Sequence, residues 1–533
     1  MHKTAVAYAV GKLLQVMGLV MFAPLAISIY EHRGKDIGAI FAQPEIIGYL
    51  AAIFLALFFG FFFATAFSEG RNLQGAKEGF AIVAIGWLSL TLISCIPLTL
   101  YLIAHPQPGC NGMFFSSFTD AFFEIMSGFT TTGASILTNI EALPDSILFL
   151  RALTQWLGGM GIITLAIAIF PAMGVSGYQM FRSEVAGPTK EKLQPRLAQT
   201  ASILWGVYVL FTLLQVIFLL AGGMNLLDAI CHSFATLATG GFSTKNASIA
   251  AYNSPLIEWI IIVFMYISGV NFILHFRALR GDLNSYFRNS EYKFHLGIVL
   301  FVVLMATGVL YFNGFAPLNE AKEVYRWEKM SGDDFQEHYD EQSQKFSTVE
   351  SSIRTAAFQV VSIGTTTGFA TADYDLWPNL LRVCFVILMF FGACAGSTSG
   401  GIKLVRILVL GKVVFNELKK MVQPRLVSQV RLDNEVMDEN KVINIAGFFV
   451  LFIGLFVAAG TLLTIFIPDI ITSYTATIAC MSNVGPGLAA VGSVGNYSEV
   501  PDAGKWILSI CMLMGRLEIF TVLILLRAKT WRK

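Results

Sequence analysis

Four short segments of this sequence share a threonine or asparagine, one intervening residue and then a glycine. They are Thr131-Thr132-Gly133, Thr239-Gly240-Gly241, Thr366-Thr367-Gly368 and Asn483-Val484-Gly485. None of them contains a charged side chain, so the ligands that they offer are backbone carbonyl oxygens, with threonine hydroxyls in addition. Uncharged oxygen ligands favour a hard, weakly hydrated monovalent cation over transition metals, which prefer imidazole or thiolate.

The glycine at the same place in each segment has a conformational explanation. Successive carbonyls can point toward one axis only if the chain visits φ values that glycine adopts cheaply. A ring of such carbonyls can replace the hydration shell of an ion, as a selectivity filter does. A single segment of this kind is more often a turn or a close contact between helices, whereas four at matched places indicate a shared ion-binding site.

The elements that must position these segments are membrane helices. A hydrocarbon core of about 30 Å requires about 20 mostly apolar helical residues, and 55% of the 533 residues are hydrophobic while only 13% are charged. Runs long enough to span the core occur at 6–30, 45–67, 80–104, 146–172, 199–222, 255–279, 293–314, 378–411, 443–467 and 504–528. Four shorter apolar runs lie between them, at 117–128, 227–238, 353–364 and 472–482.

Each short run leads into one of the glycine segments, so the order span, short helix, loop, span occurs four times. Non-helical backbone at membrane depth is stable only where it lines a water-filled or protein-buried space. We therefore predict an all-α polytopic membrane protein with two N-terminal helices and four span–pore helix–span repeats around a pseudo-fourfold pore. The predicted units are two N-terminal helices (1–78), repeat 1 (79–180), repeat 2 (181–281), repeat 3 with an extracytoplasmic insert (282–412, insert 316–354) and repeat 4 after a cytoplasmic loop (413–533).

Charge placement predicts the topology independently. With the N-terminus in the cytoplasm, the basic clusters at 182–196, 277–293 and 403–441 and the basic C-terminus all fall on the cytoplasmic side, as the positive-inside rule requires. Both termini are then cytoplasmic, and the four short helices lie on the outer side. The insert at 316–354 has nine acidic and five basic residues, which is typical of a solvated surface helix or cap, with attraction of cations to the mouth as the alternative.

Several classes of function are disfavoured. The net charge of +1 leaves no basic surplus for binding nucleic acid. The sequence has neither a His-Glu-x-x-His nor a Gly-x-Ser-x-Gly motif, so we expect no enzyme, and an intramembrane lipid-modifying enzyme is the weaker alternative. A Na⁺- or H⁺-coupled symporter would need an ionisable site near the membrane midplane. It is the alternative to a channel-like pore, and the uncharged loops argue against it.

Four stretches around these glycines match a known family. They are Ser127–Ala134, Leu237–Thr244, Gly364–Phe369 and Ser482–Gly487. With them, and over essentially its whole length, the sequence closely resembles the bacterial Trk/Ktr/HKT superfamily of potassium transporters, in particular the membrane subunits of Trk systems. The resemblance implies potassium uptake across the bacterial inner membrane, with K⁺ as the metal ion at the four segments and no covalently bound cofactor. It also implies a homodimer in the lipid bilayer, regulated by a cytosolic ring of nucleotide-binding subunits that respond to NAD or ATP.

The segments depart from the Thr-Val-Gly-Tyr-Gly filter of tetrameric potassium channels at one position. Its second glycine is replaced by Ser135, Ser243 and Ala370 in the first three repeats and survives only as Gly487 in the fourth. We therefore expect weaker discrimination between K⁺ and Na⁺ than in such channels.

A gate is predicted within the apolar run at 378–411, which as one helix would be about 50 Å long and must break or protrude. Its middle is rich in small residues and poor helix formers, namely Gly392, Gly396, Ser397, Thr398, Ser399, Gly400 and Gly401, followed by Lys403. One interpretation is an unwound loop beneath the filter that obstructs the pathway and moves during gating, as the resemblance implies. The other is a close helix contact.

Arg516 lies near the middle of the last predicted span, where a cation is costly unless it faces a cavity or a partner. We predict a barrier in the pathway, as the resemblance implies, with an interhelical salt bridge as the alternative. Glu124, His232 and Gln359 each precede a segment glycine by nine residues, and we expect them to hold pore helix against loop. Asp120 and Asp228 are expected to begin pore helices, as N-caps or as cation attractors.

Overall fold

The described part of the chain is mostly helical. A computed structural model describes residues 1–72, 76–107, 112–159, 161, 197–315, 332–424, 429–433 and 435–531. The two strands among these residues, β1 (Arg431–Leu432) and β2 (Glu435–Val436), form a small antiparallel hairpin. The all-α polytopic fold predicted from the sequence is confirmed.

Four helices form the N-terminal unit: α1 (Lys3–Val20), α2 (Phe22–Glu31), α3 (Ile37–Phe41) and α4 (Pro44–Ala66). α1 and α2 together make one apolar span, and α4 makes the second. α1 packs against α4 at two glycines, since a Cβ atom on Gly11 would lie 3.0 Å from the carbonyl oxygen of Gly60. Small residues at such a crossing allow the close backbone approach that packs helices in lipid.

The first two repeats follow the predicted order. Repeat 1 consists of α5 (Ala76–Ser94), α6 (Ile96–Ala104), the pore helix α7 (Phe114–Phe129) and α8 (Asp145–Gly159). Most of the remainder of the predicted span 146–172, and the basic cluster at 182–196, lie outside the described residues. Repeat 2 consists of α9 (Leu197–Ala221), the pore helix α10 (Leu226–Leu237), α11 (Pro255–Gly269) and α12 (Phe272–Leu279).

The last two repeats have the same plan. After the short α13 (Asn284–Arg288), repeat 3 consists of α14 (Ser290–Asn313), α15 (Gly332–Gln344) in the insert, the pore helix α16 (Val349–Gly364), α17 (Asn379–Phe390) and α18 (Leu404–Val422). Repeat 4 consists of α19 (Glu439–Leu463), the pore helix α20 (Ile470–Met481), α21 (Asp502–Arg516), α22 (Phe520–Leu526) and the terminal α23 (Ala528–Trp531). The bounds of the four pore helices fall within four residues of the predicted short runs.

Two spans expected to be continuous are bent instead. The run 255–279 turns by 104° between α11 and α12, and the run 504–528 turns by 117° between α21 and α22. At the first bend, the amide of Phe272 donates to the carbonyl of Gly396 at 3.1 Å. This partner is distant in sequence, so local periodicity could not reveal the bend.

Side-chain caps start three of the pore helices. Asn225 accepts from the amide of Asp228, Asp469 accepts from the amide of Thr472, and Thr348 forms a capping box with Ser351. These bonds satisfy amides that a helix start leaves without an intrahelical partner. Each of these three pore helices therefore begins at a defined residue, which sets where its C-terminal end places the following loop.

Candidate functional site

All four pore helices end in the same conformation. The second residue after each helix has a left-handed φ, at 53° for Thr131, 53° for Thr239, 59° for Thr366 and 56° for Asn483. The next amide donates to a carbonyl five residues earlier, for example from Thr132 to Ser127 at 2.8 Å, which makes the termination a Schellman motif. An L-residue in this region costs about 1–2 kcal/mol, so the surrounding structure holds these three threonines against their own preference.

The four segment glycines form a closed ring. A Cβ atom on Gly133, Gly241 or Gly368 would lie only 2.1 Å from a carbonyl oxygen of the next repeat, and one on Gly485 would lie 2.6 Å from a carbonyl of the first repeat. The facing carbonyls belong, in that order, to Gly240, Thr367, Val484 and Thr132. Repeat 1 thus contacts repeat 2, repeat 2 contacts repeat 3, repeat 3 contacts repeat 4, and repeat 4 contacts repeat 1. The segments surround one axis, and each glycine has a φ between 76° and 98°.

A cavity opens at one end of the ring, which we call the mouth. It has a volume of about 90 Å³, and its lining includes all four segment glycines and the residues that follow them, such as Ser135 and Ser243. It shares Asn246, Ala370 and Asn496 with a wider cavity of about 1090 Å³, one wall of which is formed by α15. The wider cavity therefore forms a vestibule beside the insert that leads to the ring.

The polar residues nine positions before the glycines connect pore helix to loop, as expected from the sequence. Glu124 accepts from the amide of Ile136 at 2.9 Å, and Gln359 donates to the carbonyl of Ala372 at 2.8 Å. His232 forms a hydrogen bond of 2.9 Å with the hydroxyl of Ser243. These contacts place the three side chains behind the loops, where they fix the path of the chain on the mouth side.

Sequence reasoning misses two further residues of the ring, Arg151 and Gln155 of α8. Arg151 donates to Glu124 at 2.8 Å, and its guanidinium lies 4.2 Å from the ring centre of Phe242. Gln155 donates to the carbonyl of Gly240 at 2.5 Å and accepts from the amide of Phe242. One signal was present: two polar side chains four residues apart share a helix face, here inside an otherwise apolar run.

The predicted interruption of the run 378–411 is a loop at residues 391–403, between α17 and α18. Its two ends pair as a β-bridge between Phe391 and Ile402, with the amide of Gly392 donating to the carbonyl of Ile402 at 3.0 Å. All the predicted gate residues from Gly392 to Lys403 therefore lie in one closed loop. Inside it, the Lys403 amine donates to the carbonyl and, at 3.1 Å, to the hydroxyl of Ser399.

This loop lies at the end of the ring opposite the mouth, because it contacts the C-terminal ends of the pore helices. The hydroxyl of Thr398 donates to the carbonyl of Leu237, at the end of α10, at 2.9 Å. The amide of Gly400 donates to the hydroxyl of Thr366 at 2.7 Å, and a Cβ atom on Gly400 would lie 2.2 Å from the carbonyl of Ser482. The loop thus touches three of the four repeats at their pore-helix ends.

Arg516 connects the loop to the fourth side of the ring. Its guanidinium donates to the carbonyl of Thr398 at 2.8 Å and to those of Gly158 and Gly159, at the end of α8, at 2.5 and 2.6 Å. Two residues after Arg516, Glu518 forms an interhelical salt bridge with Arg406 of α18 at 2.6 Å. Arg516 is buried and ends α21 immediately before the bend.

The expected N-cap role is wrong for both aspartates. Asp120 lies inside α7 and pairs with Lys505 of α21 at 2.5 Å, with both side chains buried. Asp228 lies in the first turn of α10, where Asn225 is the cap, and it accepts from the hydroxyl of Thr244 at 2.6 Å. A tertiary partner determines the position of each carboxylate, and helix starts could not be placed closely enough from sequence to reveal this.

Comparison with known proteins agrees with this geometry. A family model described as "TrkH: Cation transport protein" matches residues 49–533. The chain belongs to the TrkH family. The Trk system potassium uptake protein TrkH of Escherichia coli K12 is 36% identical over 535 residues, covering 100% of both chains. TrkG of the same organism is 30% identical, covering 100% of this chain and 99% of its own.

A solved structure shows the same family fold. The crystal structure of the potassium transporter TrkH from Vibrio parahaemolyticus superimposes with a TM-score of 0.80 and 32% sequence identity, covering 100% of both chains. These relatives are transport proteins. The TrkH-family chain described here is accordingly a multi-pass membrane transport protein.

Proposed function

We propose that this chain mediates potassium uptake through a channel-like pore, with the ring at Gly133, Gly241, Gly368 and Gly485 as its selectivity filter. The closed ring of glycine-to-carbonyl contacts between successive repeats carries this proposal. The names of the full-length relatives, which are potassium uptake proteins, support the choice of ion.

In this proposal, an ion enters through the vestibule and the mouth, and loses water as carbonyl oxygens replace its hydration shell. The pore helices direct the partial negative charge of their C-terminal ends toward the space below the ring, which favours a cation there. Because the ligands are uncharged, the ion can leave as well as bind. The serine and alanine residues at the mouth lack the conformational freedom with which a second glycine would direct its carbonyl toward the axis, so moderate selectivity for K⁺ over Na⁺ is expected.

The loop at 391–403 acts as the gate in this proposal. It lies in the space below the ring, and Arg516 both anchors it through Thr398 and adds a positive charge to the path of the cation. Conduction therefore requires the loop to move away from the ends of α10, α16 and α20. Movement of the loop would break the contacts of Thr398 and Gly400 while the ring above keeps its shape.

The deciding experiment is uptake of ⁸⁶Rb⁺ into liposomes that contain the purified protein, driven by an outward K⁺ gradient. We expect uptake that excess external K⁺ suppresses more strongly than excess Na⁺ does. A coupled carrier would instead show uptake that requires Na⁺ or a proton gradient. Uptake no greater than in protein-free liposomes, from protein that retains its size-exclusion profile, would contradict the proposal.

We also propose the oligomeric state, the membrane orientation and the regulation of this transporter. The resemblance to Trk systems supports a homodimer in the bacterial inner membrane, with both termini in the cytoplasm and a cytosolic nucleotide-binding ring as regulator. Light scattering in detergent tests the dimer, and a cysteine-accessibility assay at each terminus tests the orientation. A change in ⁸⁶Rb⁺ uptake when the ring and ATP or NAD are added tests the regulation.

A further inference from the structure

A buried carboxylate outside the ring binds the loop at 391–403 and the helix that follows it. Glu291 lies in the first turn of α14 and is 5% exposed. One of its oxygens accepts from the amide of Ala395 at 2.7 Å and from the amide of Val405 at 2.9 Å. Ala395 belongs to the first half of the loop and Val405 to the helix that follows it, so a single oxygen links the loop and the start of α18 to α14.

The carboxylate meets the N-terminal turns of two helices. Glu291 and Val405 lie in the first turns of α14 and α18, and the N-terminal turns of helices stabilise negative charge. Removing a buried acceptor leaves its donors unsatisfied and therefore costs more than the loss of an exposed hydrogen bond. The two bonds therefore help to hold the loop in place on this side.

The part of the loop that contacts Glu291 packs against the β1–β2 hairpin. Leu432 and Met437, at either side of the hairpin, share an apolar cluster with Ala395 and Val405. The carboxylate of Asp433, in the hairpin turn, accepts from the amide of Ser290 at 2.9 Å, one residue before Glu291. The start of α14 is thus held between the hairpin and the loop.

We infer that Glu291 is a positioning residue that holds the loop at 391–403 in its obstructing place and links it to the β1–β2 hairpin. The inference rests on the proposed function for its effect on transport. Its effect on the loop itself does not depend on transport, and can be measured separately.

The loop is tested by hydrogen–deuterium exchange of peptides covering residues 392–405 in the purified full-length protein. Glu291→Ala removes the acceptor and should accelerate exchange of the Ala395 and Val405 amides about tenfold or more, because both lose their hydrogen bond to a buried oxygen. Glu291→Gln keeps an oxygen acceptor without the charge and should give an intermediate rate. Glu439→Ala is the matched control, since Glu439 is an exposed first-turn acid of α19. Unchanged exchange in Glu291→Ala would overturn the inference.

Transport is tested by single-channel recording in planar bilayers. We expect Glu291→Ala to raise the open probability about tenfold or more while unitary conductance and the preference for K⁺ over Na⁺ stay as in the parent, with Glu291→Gln partly restoring the parent behaviour. A faster-exchanging loop with an unchanged open probability would contradict the link to gating. Absence of current in the parent would instead refute the proposed function, and the exchange experiment would still decide the role of Glu291.

Discussion

Replacing Gly368 by serine should lower the preference for K⁺ over Na⁺. Gly368 has a φ of 85°, and a Cβ atom there would lie 2.1 Å from the carbonyl oxygen of Val484 and 2.9 Å from the Pro486 ring. Ordinary contacts of a Cβ atom begin near 3.4 Å, so the Val484 carbonyl would have to move by roughly 1 Å in a close-packed site. The left-handed backbone adds about 1–2 kcal/mol of strain.

This displacement affects one ligand in the ring, and a loss of about 1.4 kcal/mol in the preference for K⁺ corresponds to a tenfold lower selectivity ratio. The assay is competition of K⁺ and Na⁺ against ⁸⁶Rb⁺ uptake in liposomes. Gly364→Ser is the matched control, because a Cβ atom on Gly364, at the end of the same pore helix, meets no atom within 4 Å. If Gly368→Ser inserted normally and kept the parent's ratio of K⁺ to Na⁺ inhibition, the assignment of this ring as the filter would be wrong.

Three other single substitutions test Arg516, Asp120 and Asp373. Arg516→Ala should raise basal ⁸⁶Rb⁺ uptake about tenfold, since a charged hydrogen bond of about 1.5–3 kcal/mol to Thr398 is lost. Arg527→Ala, which removes an exposed arginine, is the control, and equal uptake by the two variants would refute this prediction. Asp120→Ala should lower the free energy of unfolding by about 3–5 kcal/mol, because Lys505 stays buried without the carboxylate of Asp120. Adding Lys505→Met should restore much of this loss in thermal unfolding. Burial raises the pKa of Asp373, in the loop after α16, from 3.8 to about 6. The folded protein then binds this proton more tightly, so stability should fall as pH rises from about 4 to 6, and Asp373→Asn should lose that dependence in thermal unfolding.

The repeats could be predicted because their signals are local. Apolar run length separates spans from pore helices, and a glycine at one place in each loop reflects a φ that other residues adopt at a cost. The interruption of the run 378–411 is equally local, since small residues and poor helix formers are concentrated in it. The polar residues nine positions before the first three glycines could be predicted from their register to hold pore helix against loop.

Contacts between distant parts of the chain could not be predicted. The bend before Phe272 depends on a hydrogen bond to Gly396, and the burial of Asp120 depends on Lys505, which is 385 residues away. Arg151 and Glu291 were also missed as parts of the ring and the loop. A charged residue at a span end is ordinarily solvated, and only the folded chain shows what it touches.

The ring is assembled from one polypeptide, and this has a genetic consequence. In a channel built from four identical subunits, one codon change alters every wall of the pore at once. Here each quadrant of the ring is encoded separately. The fourth segment has Asn483 where the other three have threonine, and this difference is confined to one wall of the pore. Ion preference in this architecture can therefore shift in small steps, one quadrant at a time.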